Sequence, residues 1–182
     1  HDSSQMASEI SVKRIGVGNP PGKQSIDQRL NAVVACSVST DGDEAIVVTG
    51  DSSGRCVLYR FNCDSETARP QATVLYRDER PILSLELSGW QNEFILVVGT
   101  TAGDIILLNL PNPLSFAEKP LFRYKAHSMG TNAIAIRTRE SRDGNSLLLR
   151  IVSCGDDQAV SCWEALVKRN TGAVEATVEI LR

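Results

Sequence analysis

Ala45-Ile-Val-Val-Thr-Gly50-Asp-Ser-Ser-Gly54, followed by Cys56-Val-Leu-Tyr59, is an apolar run, a turn of small and acidic residues, and a second apolar run. The same phrase returns as Phe94-Ile-Leu-Val-Val-Gly99-Thr-Thr-Ala-Gly103 with Ile105-Ile-Leu-Leu108. It returns again as Leu149-Arg-Ile-Val-Ser153-Cys154-Gly-Asp-Asp157-Gln158 with Val160-Ser-Cys-Trp163. Val, Ile and Leu at this density favour extended strands, and Gly-, Ser- and Asp-rich breaks between them favour tight turns. The matched positions Gly50, Gly99 and Cys154 lie 49 and 55 residues apart. A strand-rich unit that returns at such a period is one supersecondary repeat, which buries its apolar faces by stacking on its neighbours.

Working outward, strands are expected over 32–38, 45–49, 55–61 and 72–76, then 82–87, 94–98, 105–110 and 121–125. A third set is expected over 131–137, 147–152, 159–163 and 174–181. The fold class is therefore all-β, a β-propeller-like array of about three four-stranded blades. Residues 31–80 form blade one, 81–125 blade two and 126–182 blade three. Residues 1–30 form a polar segment with an outer strand of a preceding blade over 9–17. Closed rings take roughly 4–8 blades and the chain opens on His1, so it reads as part of a longer protein.

Composition narrows the function. The 182 residues are 42% hydrophobic and 23% charged, with a net charge of −3 that provides no overall attraction for a polyanion. No signal peptide is recognisable and no apolar run nears the roughly 20 residues of a membrane span. Five cysteines at 36, 56, 63, 154 and 162, without a C-x-x-C pair, read as reduced thiols and a cytoplasmic setting. The loop Gly16-Val-Gly18-Asn-Pro-Pro-Gly22 misses the dinucleotide-binding spacing, and its prolines oppose the helix such a site needs.

Blade three brings together His127, Ser153, Asp157 and Trp163. A sharp turn leaves backbone N–H groups unpaired, and a carboxylate beside them satisfies them. A histidine then ties that turn to the loop before the inner strand. A Ser/His/Asp hydrolase triad is disfavoured because the G-x-S-x-G elbow is missing. A metal site is disfavoured because His127 is the one internal histidine. Blade one has Thr49, Ser53 and Tyr59 at the matching positions, and blade two has Val98, Ala102 and Leu108. Turns there are expected to rely on Gly50, Gly54, Gly99 and Gly103. An active site at the propeller axis would need several convergent titratable groups, and the inner strands offer Glu86 alone.

The quartet His127, Ser153, Asp157 and Trp163 resembles the WD-repeat family, which implies a hydrogen-bonded chain running from indole through hydroxyl and imidazole to carboxylate. Blades one and two depart from that pattern, and Trp-Asp is replaced by Trp163-Glu164. More narrowly, Ala126-His127-Ser-Met-Gly130-Thr-Asn132-Ala-Ile134 and Val152-Ser-Cys-Gly155-Asp-Asp157-Gln158-Ala159 resemble the late blades of the WD-repeat protein six family. Leu83-Ser-Leu85 and Val97-Val-Gly99-Thr-Thr-Ala-Gly103-Asp resemble the preceding blade more loosely. The resemblance implies a non-catalytic subunit that supports an FtsJ-like methyltransferase in 2′-O-methylating the wobble nucleotide of tRNA. The methyl donor and catalytic groups would belong to the partner, with no cofactor or metal here and tRNA met indirectly. A generic protein-interaction scaffold is the alternative. Arg137, Arg139 and Arg142, with Arg150, are the candidate basic strip for RNA or partner contact.

Overall fold

The structure, a computed structural model, describes residues 28–37, 44–62, 71–91, 93–110, 116–117, 119–170 and 173–181. The expected strand over 9–17, the glycine loop at 16–22, Cys63, the turn at 40–43 and most of the connections 62–69 and 111–120 lie outside them. Twelve strands are described, in three antiparallel four-stranded sheets. The first holds β1 (Leu30–Ser37), β2 (Glu44–Asp51), β3 (Arg55–Asn62) and β4 (Gln71–Arg77) in sequential order. The second holds β5 (Ile82–Trp90), β6 (Glu93–Thr100), β7 (Asp104–Leu110) and β8 (Phe122–Lys125). The third holds β9 (Thr131–Glu140), β10 (Ser146–Gly155), β11 (Val160–Asn170) and β12 (Ala173–Leu181). The chain is thus an all-β, propeller-like array of three four-stranded blades, and no helix among the described residues is long and apolar enough to cross a membrane.

Blade two sits between the other two, and its sequence records that. Alternate residues of a strand face opposite sides, so a strand covered on both faces reads as an unbroken apolar run. Leu96 and Val98 face blade one's Ile46, Val48 and Leu58; Ile95 and Val97 face blade three's Leu149, Ile151 and Val167. Ile106 and Leu108 join the first cluster, and Ile105 and Leu107 the second. Blade three alternates instead: Leu149 and Ile151 are buried, while Arg150 and Val152, which alternate with them, are exposed. One face of that blade is therefore core, and among the described residues the other is exposed.

Several strands run past their expected ends. β5 continues to Trp90, which is 1% exposed and carries the Arg169 guanidinium 5.0 Å above its ring. β11 continues seven residues past Trp163 because Ala165 and Val167 are still alternating into the core at 0% exposure.

Candidate functional site

Each blade has the same joint. Two strands meet in a tight turn, and one turn N–H donates to a carbonyl just before the inner strand. Ser52 N donates to Arg29 O at 2.9 Å, Thr101 N to Pro81 O at 3.0 Å, and Asp156 N to Gly130 O at 2.9 Å. The turn closes through Gly54 N to Asp51 O, Gly103 N to Thr100 O, and Gln158 N to Gly155 O. Gly54, Gly103 and Gln158 all adopt left-handed backbone, at φ of 77°, 84° and 60°. The first two turns also receive the next blade's connecting loop: Asp78 N donates to Gly54 O at 2.8 Å and His127 N to Gly103 O at 3.0 Å.

What satisfies the turn differs from blade to blade. In blade three His127 Nδ1 lies 3.0 Å from Asp157 Oδ1 and Nε2 lies 2.9 Å from Ser153 Oγ. Asp157 also accepts from Ser128 N at 2.9 Å and Ala159 N at 3.2 Å. A carboxylate only accepts, so the proton is assigned to Nδ1, and in the neutral ring Ser153 donates to Nε2. His127 is 2% exposed and Ser153 1%, and a methyl group on Gly155 would sit 2.7 Å from the imidazole Cγ. The serine is roofed and its hydroxyl is committed. Asn132 donates its side-chain amide to Asp156, which fastens the inner strand to the same turn.

Trp163 does not join this chain. Its indole N–H is buried without a hydrogen-bond partner. Trp163 stands opposite Ile151 and Ser153 opposite Ser161, so the two are diagonal neighbours on one buried face without a bond between them. Trp163 packs edge-on against Tyr124 of β8 instead, with ring centroids 4.4 Å apart. The network is therefore a Ser–His–Asp set, with the tryptophan serving the core between blades two and three.

Blade one's turn uses Gly54 for its left-handed backbone, as expected, but it also has a carboxylate that was not expected. Asp51, 0% exposed, accepts from Ser53 N at 2.8 Å, Arg55 N at 3.0 Å, Arg55 Nε at 2.8 Å and Gln28 Nε2 at 2.8 Å. The acid stands at the position that Gly155 holds in blade three, two residues ahead of where it was sought. In blade two the equivalent residue is Thr100, which is 0% exposed and accepts from Asp104 N at 3.3 Å. A run of two small or acidic residues directly after the second strand was the available signal for both.

Gly54 and Gly103 lie in turns as expected, but Gly50 and Gly99 lie within β2 and β6. Their role is close approach: a Cβ would come within 2.4 Å of Ile82 Cγ2 at Gly50 and 2.2 Å of Ser84 Oγ at Gly99. Glu86, the inner-strand acid, is half-buried, and that burial raises its carboxyl above the usual range. Among the described residues no group of three potential metal ligands occurs. Cys36, Cys56, Cys154 and Cys162 are free thiols.

The basic strip divides. Arg137 and Arg139 on β9 and Arg150 on β10 share the open face of blade three, where with Leu148 they line a shallow cavity of about 310 Å³. Arg142 lies in the turn beyond β9 and is not part of that lining.

The Asp157 carboxyl is held below the ordinary carboxylate range, first by the Ser128 N–H, with the Ala159 N–H and His127 adding to it against the opposing effect of burial. A depressed folded-state value contributes stability that is complete above the unfolded value, about pH 4, and is lost as pH falls through the folded one. The parent is therefore expected to lose stability more steeply below about pH 4 than an Asp157→Asn variant. Urea unfolding at a series of acid pH values checks this, and coincident slopes would remove the carboxylate from the joint.

No protein-family model matches the chain, and no curated protein matches it by sequence. Solved structures do. A chain of the Chaetomium thermophilum Polycomb Repressive Complex 2 bound to GSK126 is similar at a TM-score of 0.59 and 15% identity, over 85% of this chain and 32% of that one. A chain of an active polycomb repressive complex 2 in the basal state is similar at 0.53 and 13%, over 91% and 42% respectively. The WD40 β-propeller domain of Doa1 aligns at 0.44 and 14%, over 83% and 68%. At such identities the likeness is one of fold, and the chain spans about a third to two-fifths of the length of the two polycomb chains.

Proposed function

We propose that this chain is a non-catalytic interaction scaffold of the WD-repeat type. One observation carries it. Among the described residues, the constellation that resembles catalytic machinery, Ser153–His127–Asp157, is sealed beneath its own turn and spent on holding that turn in place. Hydrolytic chemistry needs the hydroxyl exposed beside a site for the reacting carbonyl and its oxyanion donors. Stacked four-stranded repeats that present their turns and outer strands to solvent are suited to holding a partner. The free thiols accord with a cytoplasmic setting.

A finer proposal is that the partner is an FtsJ-like tRNA ribose methyltransferase, with this chain as its accessory subunit. Two features support it: the motif of His127, Gly130 and Asn132, whose histidine and asparagine both engage the blade-three turn, and the guanidinium groups gathered at Arg137, Arg139 and Arg150.

The test has two readouts. A fluorophosphonate probe is expected to leave the folded protein unlabelled, and tagged protein is expected to co-elute with a stoichiometric protein partner. Labelling at Ser153 would overturn the scaffold. Elution of a partner without methyltransferase activity on the tRNA wobble ribose would overturn the finer proposal alone.

A further inference from the structure

Blades one and two are both complete in the described strands, and the seam between them opens, where β4 and β8 end, into a cavity of about 590 Å³. Both walls belong to this chain, so neither is a flank that a further blade would cover. Seven of the nine lining residues are charged. The end of β4 and the connection after it supply Arg77, Asp78, Glu79 and Arg80, and blade two supplies Asp104, Arg123 and Lys125.

The floor of this cavity is committed to itself. Arg123 donates to the Asp78 carboxylate, to Asp104 Oδ2 at 3.3 Å and to the Tyr76 hydroxyl oxygen at 3.2 Å. Tyr76 in turn donates to Asp78 Oδ2 at 3.0 Å, and Arg80 N donates to Asp78 Oδ1 at 2.9 Å. The Asp78 side chain is 2% exposed and meets no ligand. The rim is different. Arg77 and Arg80 are exposed, and among the described residues their guanidinium groups have neither hydrogen bond nor ion pair. Arg55, which stands across from Arg77 on β3, is bonded to Asp51. Lys125 donates one of its three N–H groups to Ala102 O. Glu79 is the one exposed acid of the lining. Three exposed cations against one acid leave the rim with two positive charges in excess, over a floor whose two carboxylates exceed its guanidinium by one. A positive rim on a chain of net charge −3 is a local departure that no contact within the described residues answers.

We propose that this seam holds the phosphomonoester of a phosphorylated serine or threonine in a partner protein, with Arg77, Arg80 and Lys125 as its donors. Near neutral pH such a group carries a charge of about −1.5 to −2 and three acceptor oxygens. That matches a rim with two positive charges in excess better than a single carboxylate or phosphodiester does. Guanidinium forks pair with phosphate oxygens two at a time, and an ammonium adds a point charge. The floor gives the rim its footing: Arg80 is tied by its own N–H to Asp78, and Asp78 is held by Arg123. A phosphorylated protein segment is favoured over RNA because the cations gather in one pocket instead of following a backbone, and because the chain as a whole is acidic.

This inference rests on the scaffold reading and names the chemistry of its partner. The test is fluorescence anisotropy of the 182-residue chain with a labelled Gly-Ala-Ser-Ala-Gly peptide phosphorylated on its serine, the same peptide without phosphate, and a single-stranded RNA oligomer. The phosphorylated peptide is expected to bind, and the plain peptide to bind at least roughly tenfold more weakly. The Arg77→Gln/Arg80→Gln variant is expected to lose about tenfold for the phosphorylated peptide, while Arg137→Gln/Arg139→Gln binds it like the parent. Both positions of the first variant are exposed, and matched melting temperatures show that it is folded. Affinity is also expected to fall several-fold from about pH 7.5 to about pH 5, as the phosphate takes up its second proton near pH 6. Asp78, Glu79 and Asp104 act in the opposite direction, since protonating them removes negative charge from the cavity. Equal affinity for the two peptides, or no loss in the Arg77/Arg80 variant, would overturn the proposal. So would RNA that binds the parent more tightly than the phosphorylated peptide and is released by the same substitutions. If the two peptides bind alike while the Arg77/Arg80 variant still co-elutes with a protein partner, this site is removed and the scaffold stands.

Discussion

Replacing Asp51 with alanine is expected to lower the unfolding free energy by about 3 kcal/mol. The carboxylate is fully enclosed and holds four donors: two backbone N–H groups of its turn, the Arg55 Nε and the Gln28 amide. Removing it leaves the buried Arg55 amide without its acceptor, at a cost of about 1–3 kcal/mol for the orphaned group, while the Ser53 amide at the exposed rim can turn to water. It also takes from the Arg55 guanidinium, itself 9% exposed, the carboxylate its Nε bonds. Breaking a buried ion pair by deleting one partner is worse than deleting both, since the survivor keeps its desolvation cost. An Asp51→Asn variant would retain an oxygen for the amides but turn an NH₂ or a neutral oxygen toward the arginine, so it should recover only part of the loss. Denaturant unfolding of the parent and the two variants gives the comparison. An alanine variant that unfolds at the parent's midpoint would show that the turn does not depend on Asp51.

The second large effect is at Gly103. A Cβ there would lie 2.2 Å from the carbonyl oxygens of both His127 and Met129, and the backbone sits at φ +84°. Neither oxygen belongs to a side chain that can swing away, so the connecting loop between blades two and three would have to move as a whole. Gly103→Val is expected to cost about 4 kcal/mol or more, or to prevent folding. Gly144→Ala is the matched comparison. It has the same backbone hand, at φ +71°, but its nearest neighbour is the flexible end of the Gln91 side chain at 2.7 Å. Only the left-handed strain of roughly 1–2 kcal/mol applies there. If the two variants lost the same stability, the backbone contact at Gly103 would count for nothing.

These two residues also mark where sequence reasoning succeeds and where it falls short. The unbroken run Ile95-Leu-Val-Val98 and its partner Ile105-Ile-Leu-Leu108 place the middle blade, because only a strand buried on both sides tolerates apolar residues on both. The alternation Leu149-Arg-Ile-Val152 places blade three's sheet equally well, with one face packed on blade two and the other exposed among the described residues. The joints are harder to read. The Ser153–His127–Asp157 set is visible as a motif, but blades one and two meet the same need for turn acceptors from a position two residues earlier, with Asp51 and Thr100. Motif matching looks at Ser53 and Ala102 and finds nothing there. A tryptophan of the right type at Trp163 does not reveal that its indole N–H will be left without a partner, since that depends on how the ring packs against Tyr124. Arg142 follows Arg139 by three residues, yet β9 ends at Glu140 and the chain turns before reaching it.

Of the three turns, only the third carries a side chain at its left-handed residue. Gly54 and Gly103 are hollows into which the following backbone is pressed, so each behaves as a socket shaped for one kind of plug. Gln158 fills its own socket. Any neighbour lodged against that turn must stand off by at least the width of a methyl group, so the spacing that joins the first blade to the second and the second to the third cannot simply be copied once more.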